Sequence, residues 1–191
     1  MNEKEAGRRA SLPLHILTFQ FDDYLKKRAR ELYLDKQLTN SHRGIDARII
    51  GAIGEAAFEE ASKITRVHIT RVAGESTAAD YKLPSGALIE VKTKERSVRP
   101  RSGFEASRPQ YNEDHQAVDF YVFVSIWNPT KVRNAFVEVA VLGAISRMDF
   151  EKYSYEVPKG TILGSGRGAW TAMRNVRIEQ LNGLSILRER A

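Results

Sequence analysis

Two acids and a lysine in the segment 79–94 are the residues of this sequence best suited to chemistry. Glu90 and Lys92 stand two positions apart in Ala87–Thr93, whose alternation is typical of a β-strand, so both side chains point to one face. Asp80 precedes Glu90 by ten positions, on the other side of a turn. If the two arms pair across that turn, Asp80 comes close to Glu90. Two carboxylates beside an amine would then form a metal site with a cation next to it.

A second interpretation of the same residues is structural. A Glu-x-Lys pair on a strand is commonly a surface ion pair in contact with solvent, and such pairs contribute roughly 0–1 kcal/mol. Charged side chains are seldom buried without partners. The elements around Glu90 and Lys92 therefore have to decide between a site and an exposed charged face.

The segment that carries these residues is predicted to be a β-hairpin. Its turn is Leu83–Ala87, in which Pro84 restricts one φ angle and Gly86 supplies a positive one. In the strand that follows, Ile89 and Val91 alternate with the charged residues. One face of this strand is therefore expected to pack on a core.

Two helices are predicted before the hairpin. The first begins at about Thr18, where apolar residues recur at spacings of three and four and basic residues occupy the other face. The second runs from about His42 to Lys63 and contains Gly51 and Gly54. A glycine inside a helix costs about 1 kcal/mol against alanine, so these two indicate a close neighbour, which we expect to be the sheet. Glu55 then either lies at the surface or reaches over the rim of the sheet to a cation.

An arginine-rich loop is predicted over Glu95–Arg108, at the end of the strand that carries Lys92. Guanidinium groups match the oxygens of phosphate, so the loop is a candidate for contacts with a nucleic-acid backbone. A solvated loop is the alternative. The candidate residues for these contacts are Lys94, Arg96, Arg99, Arg101 and Arg108.

The remaining patterns predict a mixed fold. The near-continuous apolar run Asp119–Trp127 is typical of a central strand covered on both faces. The other predicted elements are a strand at Val67–Val72, a short helix at Gln110–Gln116, a strand at Arg133–Val141, a short helix at Gly143–Tyr153, a loop at Tyr155–Gly168, a strand at Trp170–Ile178 and a closing helix or tail at Glu179–Arg190. This order predicts an α/β (mixed α+β) fold, in which helices flank a central mixed β-sheet.

The composition is that of a globular protein with a basic balance. Of the 191 residues, 42% are hydrophobic and 28% are charged, and the formal net charge of +6 favours polyanionic partners, nucleic acid first. There is no cysteine, which excludes disulfides and thiolate zinc sites and is consistent with a reducing cytoplasm. No apolar run approaches the roughly 20 residues of a membrane span. We expect a mobile tail at 1–17 and one domain at 18–191, in a cytoplasmic protein without membrane contact.

The ordered set of candidate residues resembles the PD-(D/E)XK nuclease superfamily, which has the restriction-endonuclease-like fold. The resemblance spans about Arg48–Ile126. Ala79 stands where the proline of the family's name would be, a position at which that proline is often absent. The matching residues are Glu55 in a Gly-x-x-Gly-Glu helix, Asp80 at a strand, Glu90 and Lys92 on the next strand, and Gln110, which is similar to a polar residue on the following helix.

This resemblance implies a Mg²⁺-dependent DNA endonuclease, in which Mn²⁺ substitutes for Mg²⁺. Asp80, Glu90 and the carbonyl of Val91 would bind the metal directly, and Glu55 would hold it through water or bind a second ion. Lys92 would orient the attacking water and counter charge on the scissile phosphate. Gln110 would help to place the water or the backbone. Cleavage of both strands of double-stranded DNA implies a homodimer, because two-fold symmetry matches the duplex.

Other functions stay open at this stage. A protein of the same fold could bind nucleic acid without cutting it, and a DNA exonuclease or junction resolvase could use the same core. An unrelated basic protein, whose acids form surface pairs, would show no dependence on divalent metal. A histidine-based nuclease or a zinc site is not indicated, because the four histidines show no close pairing. They are His15, His42, His68 and His115.

Overall fold

The central element of the fold is a mixed six-stranded sheet. The computed structural model describes residues 13–35, 44–72, 79–110, 117–130, 132, 135–163, 166 and 168–188. Its elements are β1 Leu17–Gln20, α1 Asp23–Asp35, α2 Gly44–Thr65, β2 Thr70–Arg71, β3 Tyr81–Lys82, β4 Leu88–Arg96, β5 Glu105–Pro109, β6 Phe120–Trp127, β7 Glu138–Ser146, α3 Arg147–Tyr153, β8 Tyr155–Val157 and β9 Met173–Arg177, followed by 3-10 helices at Ile178–Gln180 and Leu184–Leu187.

The order of strands in this sheet is β1-β7-β6-β4-β3-β2. Strands β4 and β6 run parallel over their whole lengths, and the other neighbouring pairs are antiparallel. The connection between β4 and β6 contains β5, which belongs to a separate three-stranded sheet of order β5-β9-β8. The predicted mixture of helices with a central mixed sheet is confirmed.

Both faces of the six-stranded sheet are covered. On one face, the odd positions Ile89 and Val91 of β4 pack into a core with α1, α2 and the end of the chain. On the other face, Tyr121 and Phe123 of β6 pack with α3 and with Ala106 and Val176 of the three-stranded sheet. The even positions of β4, which include Glu90 and Lys92, therefore lie between the two sheets.

The predicted hairpin is confirmed. Tyr81 pairs with Ile89 and Lys82 with Leu88, and the turn is closed by the Leu83 amide, which donates to the Ala87 carbonyl at 2.8 Å. Gly86 has a φ of +90°, a value that glycine adopts without the strain that a side chain would bring. The local turn chemistry is therefore sufficient to set this register.

The expected helix from Thr18 is wrong at its beginning. Leu17–Gln20 is a strand that pairs with β7, and α1 starts at Asp23 after the Asp22 carboxylate accepts a hydrogen bond from the Leu25 amide at 2.9 Å. Leu17 and Phe19 pack against the core, as alternate residues of a strand do. In the sequence, this short alternation runs directly into the apolar spacing of the helix and was interpreted as part of it. Residues 13–17, assigned to the tail, thus lead directly into the sheet, while 1–12 lie outside the described residues.

The expected loop at Glu95–Arg108 is also wrong at both ends. Strand β4 continues to Arg96, and Glu105–Pro109 forms β5. These ends were missed because charged side chains occupy strand positions that face protein. Strand β7 extends five residues beyond the predicted strand, to Ser146, and Tyr155–Val157 is a strand within the predicted loop. Most of the helix predicted at Gln110–Gln116 falls on 111–116, outside the described residues.

In the described part of the chain, no helix is both long enough and apolar enough to cross a membrane.

Candidate functional site

The candidate site begins where strand β3 separates from β4. The Asp80 amide donates to the Ile89 carbonyl at 3.0 Å, and Asp80 Oδ2 accepts a hydrogen bond from the Val91 amide at 2.9 Å. The paired register of the two strands ends at Tyr81 and Ile89, and Asp80 is then held by its hydrogen bonds with Ile89 and Val91, the residues on either side of Glu90 in sequence. A carboxylate thus occupies the place of a backbone acceptor for Val91. The predicted approach of the Asp80 and Glu90 carboxylates to each other stays a prediction.

Glu90 and Lys92 form an ion pair between the two sheets. Lys92 Nζ lies 2.7 Å from Glu90 Oε1, and the side chains are only 14% and 9% exposed, respectively. On β6, Tyr121 is in register with Glu90, and Phe123 is in register with Lys92. The alternative of a solvated charged face is therefore wrong for this pair. The sequence showed the pair but not its burial, because the covering sheet comes from residues much later in the chain.

Arg108 contacts Tyr121, the residue of β6 in register with Glu90, and is not a surface residue. Its side chain is 2% exposed, donates to the Tyr121 hydroxyl at 2.7 Å and forms an ion pair with Glu151 at 3.2 Å. The guanidinium also lies over the rings of Tyr121 and Phe150. The expectation that Arg108 belongs to an exposed phosphate-contacting loop is wrong, because strand β5 turns it inward.

Tyr121 is affected by both charges of this region. Burial raises the pKa of its hydroxyl, Arg108 lowers it, and Glu90 adds a smaller raising effect. The net direction is upward, so the hydroxyl stays protonated and can both accept from Arg108 and donate. A protonated, buried phenol in register with Glu90 is a polar group that the sequence alone did not single out.

Glu55 is buried, at 5% exposure, on helix α2. The surface alternative for this residue is therefore wrong. It acts on Tyr81, whose pKa is raised first by burial and then by the negative charges of Glu55 and Glu59. Tyr81 packs in the core between the sheet and the helices, so Glu55 lies on the helix side of the sheet, next to the residue that follows Asp80.

A short chain of polar contacts holds strand β3 against the helices. The Tyr81 hydroxyl donates to Glu59 Oε1 at 3.0 Å. Arg28 of α1 binds the same carboxylate through two hydrogen bonds of 2.6 and 2.9 Å. Sequence reasoning missed these residues because Arg28, Glu59 and Tyr81 are far apart in the chain, and no local pattern pairs them. The signal available in the sequence was the position of Tyr81 directly after the candidate acid Asp80.

The side chains near Asp80 and Glu90 determine whether this region could bind a divalent metal ion. The parts of the chain that the structure describes contain no group of three or more His, Asp or Glu side chains that could hold an ion. Glu55 thus does not join Asp80 and Glu90 in a three-acid cluster. Mg²⁺ is commonly bound by one or two carboxylates together with water and phosphate, so Asp80 and Glu90 fit such a site by number and by chemistry.

The basic residues after Lys92 are more enclosed than expected. Lys94 Nζ donates to the Ser107 hydroxyl at 3.2 Å, and burial, reinforced by the charge of Arg96, lowers the pKa of Lys94 to about 8. Burial also lowers the pKa of Arg96 to about 10, and its guanidinium donates to the Glu105 carbonyl. Both cations are therefore held within the protein at the end of β4.

The two other arginines of this region, Arg99 and Arg101, differ in whether their charge is free to contact a phosphate group. Arg99 lies 4.0 Å from the centre of the Trp127 ring and is paired with Glu138 at 3.1 Å. Arg101 is exposed, and its guanidinium lies 5.9 Å from the centre of the Phe104 ring. Of the predicted phosphate contacts, Arg101 is thus the arginine that presents its charge most directly to solvent.

Gln110 follows strand β5 and is half-buried. Its amide donates to the Ala172 carbonyl at 3.0 Å, and in the described residues no hydrogen bond of its side chain is seen. The structure therefore does not bring Gln110 into hydrogen-bond contact with Asp80, Glu90 or Lys92. Its predicted role in placing water stays a prediction.

A comparison with protein-family models found no match for this chain, and a search of curated proteins found no significant relative.

Proposed function

We propose that this protein is a Mg²⁺-dependent DNA endonuclease whose site is built like that of the PD-(D/E)XK nucleases. The observation that carries the proposal is the hydrogen bond from the Val91 amide to the Asp80 carboxylate, directly beside Glu90 and its ion pair with Lys92. Acid, acid and lysine are thus gathered at the point where two strands diverge. The restriction-endonuclease-like core is part of the same proposal, supported by a helix-covered mixed sheet.

Asp80, Glu90 and the carbonyl of Val91 are the groups that would hold the metal. When bound, Mg²⁺ would lower the pKa of a coordinated water and stabilise charge on the attacked phosphate. Mn²⁺ has similar ligand preferences and would substitute. Glu55, buried on helix α2, would contribute through its negative charge rather than as a direct ligand.

Lys92 is the residue that would act on the reacting groups. Its ammonium is held at Glu90 by an ion pair in a largely water-excluded position. Electrostatic interactions are stronger in such a position than in water. The ammonium would therefore orient a water molecule and offset negative charge on the scissile phosphate. The net charge of +6 and exposed Arg101 would favour a polyanionic substrate, which we propose is double-stranded DNA cut by a homodimer.

A plasmid-nicking assay tests this function. Supercoiled DNA is incubated with the protein in Mg²⁺, in Mn²⁺ and in EDTA. Asp80→Asn and Lys92→Ala test the site, since the amide oxygen of Asn can still accept from the Val91 amide while the charge is lost. Lys82→Ala is the matched control, because Lys82 is an exposed lysine on the neighbouring strand.

We expect nicking that requires divalent metal, is lost in both site variants and is retained in Lys82→Ala. Melting temperatures of all variants separate loss of the site from loss of the fold. Equal cutting by Asp80→Asn and the parent protein would overturn the assignment. The ends of the products distinguish an endonuclease from an exonuclease, and branched substrates test for a junction resolvase.

A non-cleaving nucleic-acid-binding protein is the second candidate. It is favoured by the fact that one oxygen each of Asp80 and Glu90 already accepts a hydrogen bond, from the Val91 amide and from Lys92. Salt-sensitive retention of DNA without cutting in any metal would support this function over the first.

A further inference from the structure

Two cations lie close together at the end of strand β4, without an acidic partner in contact. In the described ranges, neither Lys94 nor Arg96 forms an ion pair; Lys94 binds the Ser107 hydroxyl and Arg96 binds the Glu105 carbonyl. The Glu105 carboxylate is the nearest compensating charge for both, and it also accepts a hydrogen bond from Tyr155. A partly buried cation costs folding free energy unless an opposite charge compensates it.

Polar atoms without partners surround the same position. Lys94 is in register with Ser125 of β6, and Ser125 is 1% exposed. In the part of the chain that the structure describes, the Ser125 hydroxyl and Arg96 Nε are buried with no hydrogen-bond partner. Unsatisfied buried polar atoms are rare in proteins and indicate a bound water or ion that completes them.

We propose that Lys94, Arg96, Ser107 and Ser125 form a binding site for a phosphate group. An ammonium, a guanidinium and two hydroxyls supply the donors that phosphate oxygens accept, and a phosphate anion neutralises the two cations. A water molecule would satisfy the hydroxyls but would add no negative charge to that of the single Glu105 carboxylate.

The site lies next to the proposed reaction centre. Lys94 follows Lys92 by two positions on the same face of β4, which is roughly 7 Å along a strand. Identifying the bound group as a phosphate of the nucleic-acid backbone rests on the proposed function. The presence of a phosphate site does not, because free inorganic phosphate offers the same chemistry.

The first test uses inorganic phosphate and the full chain. Melting temperatures are measured with increasing phosphate, and with chloride at matched ionic strength. A ligand that binds only the folded state raises the melting temperature. We expect phosphate, and not chloride, to raise it for the parent protein and for Lys82→Gln, and to have no effect on Lys94→Gln. Ser125→Ala, which keeps both charges, should show a reduced rise.

The second test measures binding of an oligonucleotide in EDTA, where no metal-dependent cutting occurs. We expect Lys94→Gln to weaken binding about tenfold and to lower the salt slope by about one, whereas Lys82→Gln should match the parent protein. If phosphate raises the melting temperature but Lys94→Gln leaves oligonucleotide binding unchanged, the natural occupant is free phosphate. If phosphate has no specific effect and oligonucleotide binding is unchanged, the proposal is overturned.

These results are independent of the nicking assay. A phosphate effect that depends on Lys94, in a protein that cuts no DNA, would retain the phosphate site and reject the nuclease. Metal-dependent nicking would retain the nuclease and reject the phosphate site if phosphate did not raise the melting temperature and Lys94→Gln did not weaken oligonucleotide binding.

Discussion

Gly54 of helix α2 lies directly against Thr93 of strand β4. A Cβ added at Gly54 would come within 2.9 Å of Thr93 Cβ and closer still to its hydroxyl, whereas a Cβ at Gly51 would meet nothing within 4 Å. Of the two glycines expected to mark a close approach, only Gly54 does so. The contact brings the helix that carries Glu55 against the strand that carries Glu90 and Lys92.

Gly54→Ala is therefore expected to destabilise the protein by about 1–3 kcal/mol, because the branched side chain of Thr93 cannot easily move away. Gly51→Ala is the matched control and is expected to stabilise by about 0.5–1 kcal/mol through helix propensity. Urea unfolding gives both values. Equal stabilisation by the two substitutions would show that the close approach is absent.

The hydrogen bond from Tyr81 to Glu59 gives a second prediction. Tyr81→Phe removes a buried donor to a charged acceptor, and we expect a loss of about 2 kcal/mol in the free energy of unfolding. Glu59 keeps its two hydrogen bonds from Arg28, so its charge still has a partner in the variant. Tyr24→Phe is the control, since the Tyr24 hydroxyl donates to Glu60 in an exposed position at 2.6 Å and its loss should cost no more than about 0.5 kcal/mol.

The same Tyr81 variant tests whether this contact positions Asp80. If it does, nicking by Tyr81→Phe falls at a temperature where the variant is fully folded, and Tyr24→Phe nicks normally. A variant that is less stable but fully active would limit Tyr81 to a structural role.

The pKa of Lys94 predicts a pH dependence of stability. Burial and Arg96 lower this pKa from 10.5 to about 8, while Glu105 opposes the change. Between these two values the unfolded chain binds more protons than the folded one, so this residue makes stability rise with pH in that window. Below about pH 8 the folded protein carries the full cost of the buried charge, about 3 kcal/mol.

Lys94→Met removes that cost. At pH 7 and low phosphate, the variant is expected to be more stable than the parent protein, and the difference should shrink as the pH rises towards 10. Chemical unfolding at several pH values measures it, and Lys82→Met is the control for loss of an exposed charge. A constant difference across this range would show that Lys94 titrates normally.

Arg101 and Arg108 are expected to separate binding from stability. Arg101→Ala removes an exposed charge and should lower the salt slope of DNA binding by about one without changing the melting temperature. Arg108→Met should leave the salt slope unchanged but cost about 2 kcal/mol of stability, since the Tyr121 hydroxyl loses its donor. Titrations at several salt concentrations and thermal melts provide both readings. The reverse pattern would place Arg108 at the nucleic-acid surface.

The sequence by itself determined the hairpin that brings Asp80 to the strand of Glu90 and Lys92. Pro84 and Gly86 set the turn, and the period-two alternation after it set the faces of β4. These features depend on residues within about one turn and two short strands, where local conformational preferences act directly. The run that became β6 was predictable for the same reason, since it is apolar on both faces.

Only the tertiary structure decided which charges are buried. The sequence did not indicate the burial of Glu90, Lys92, Lys94 and Arg108. The segments that pack on this face of the sheet are β5, α3 and β9, and no local pattern reports such packing. The contacts of Tyr81 with Glu59 and Arg28 likewise join three elements. Burial and long-range polar pairs depend on how distant segments pack, whereas the faces and turns of a hairpin follow from its own residues.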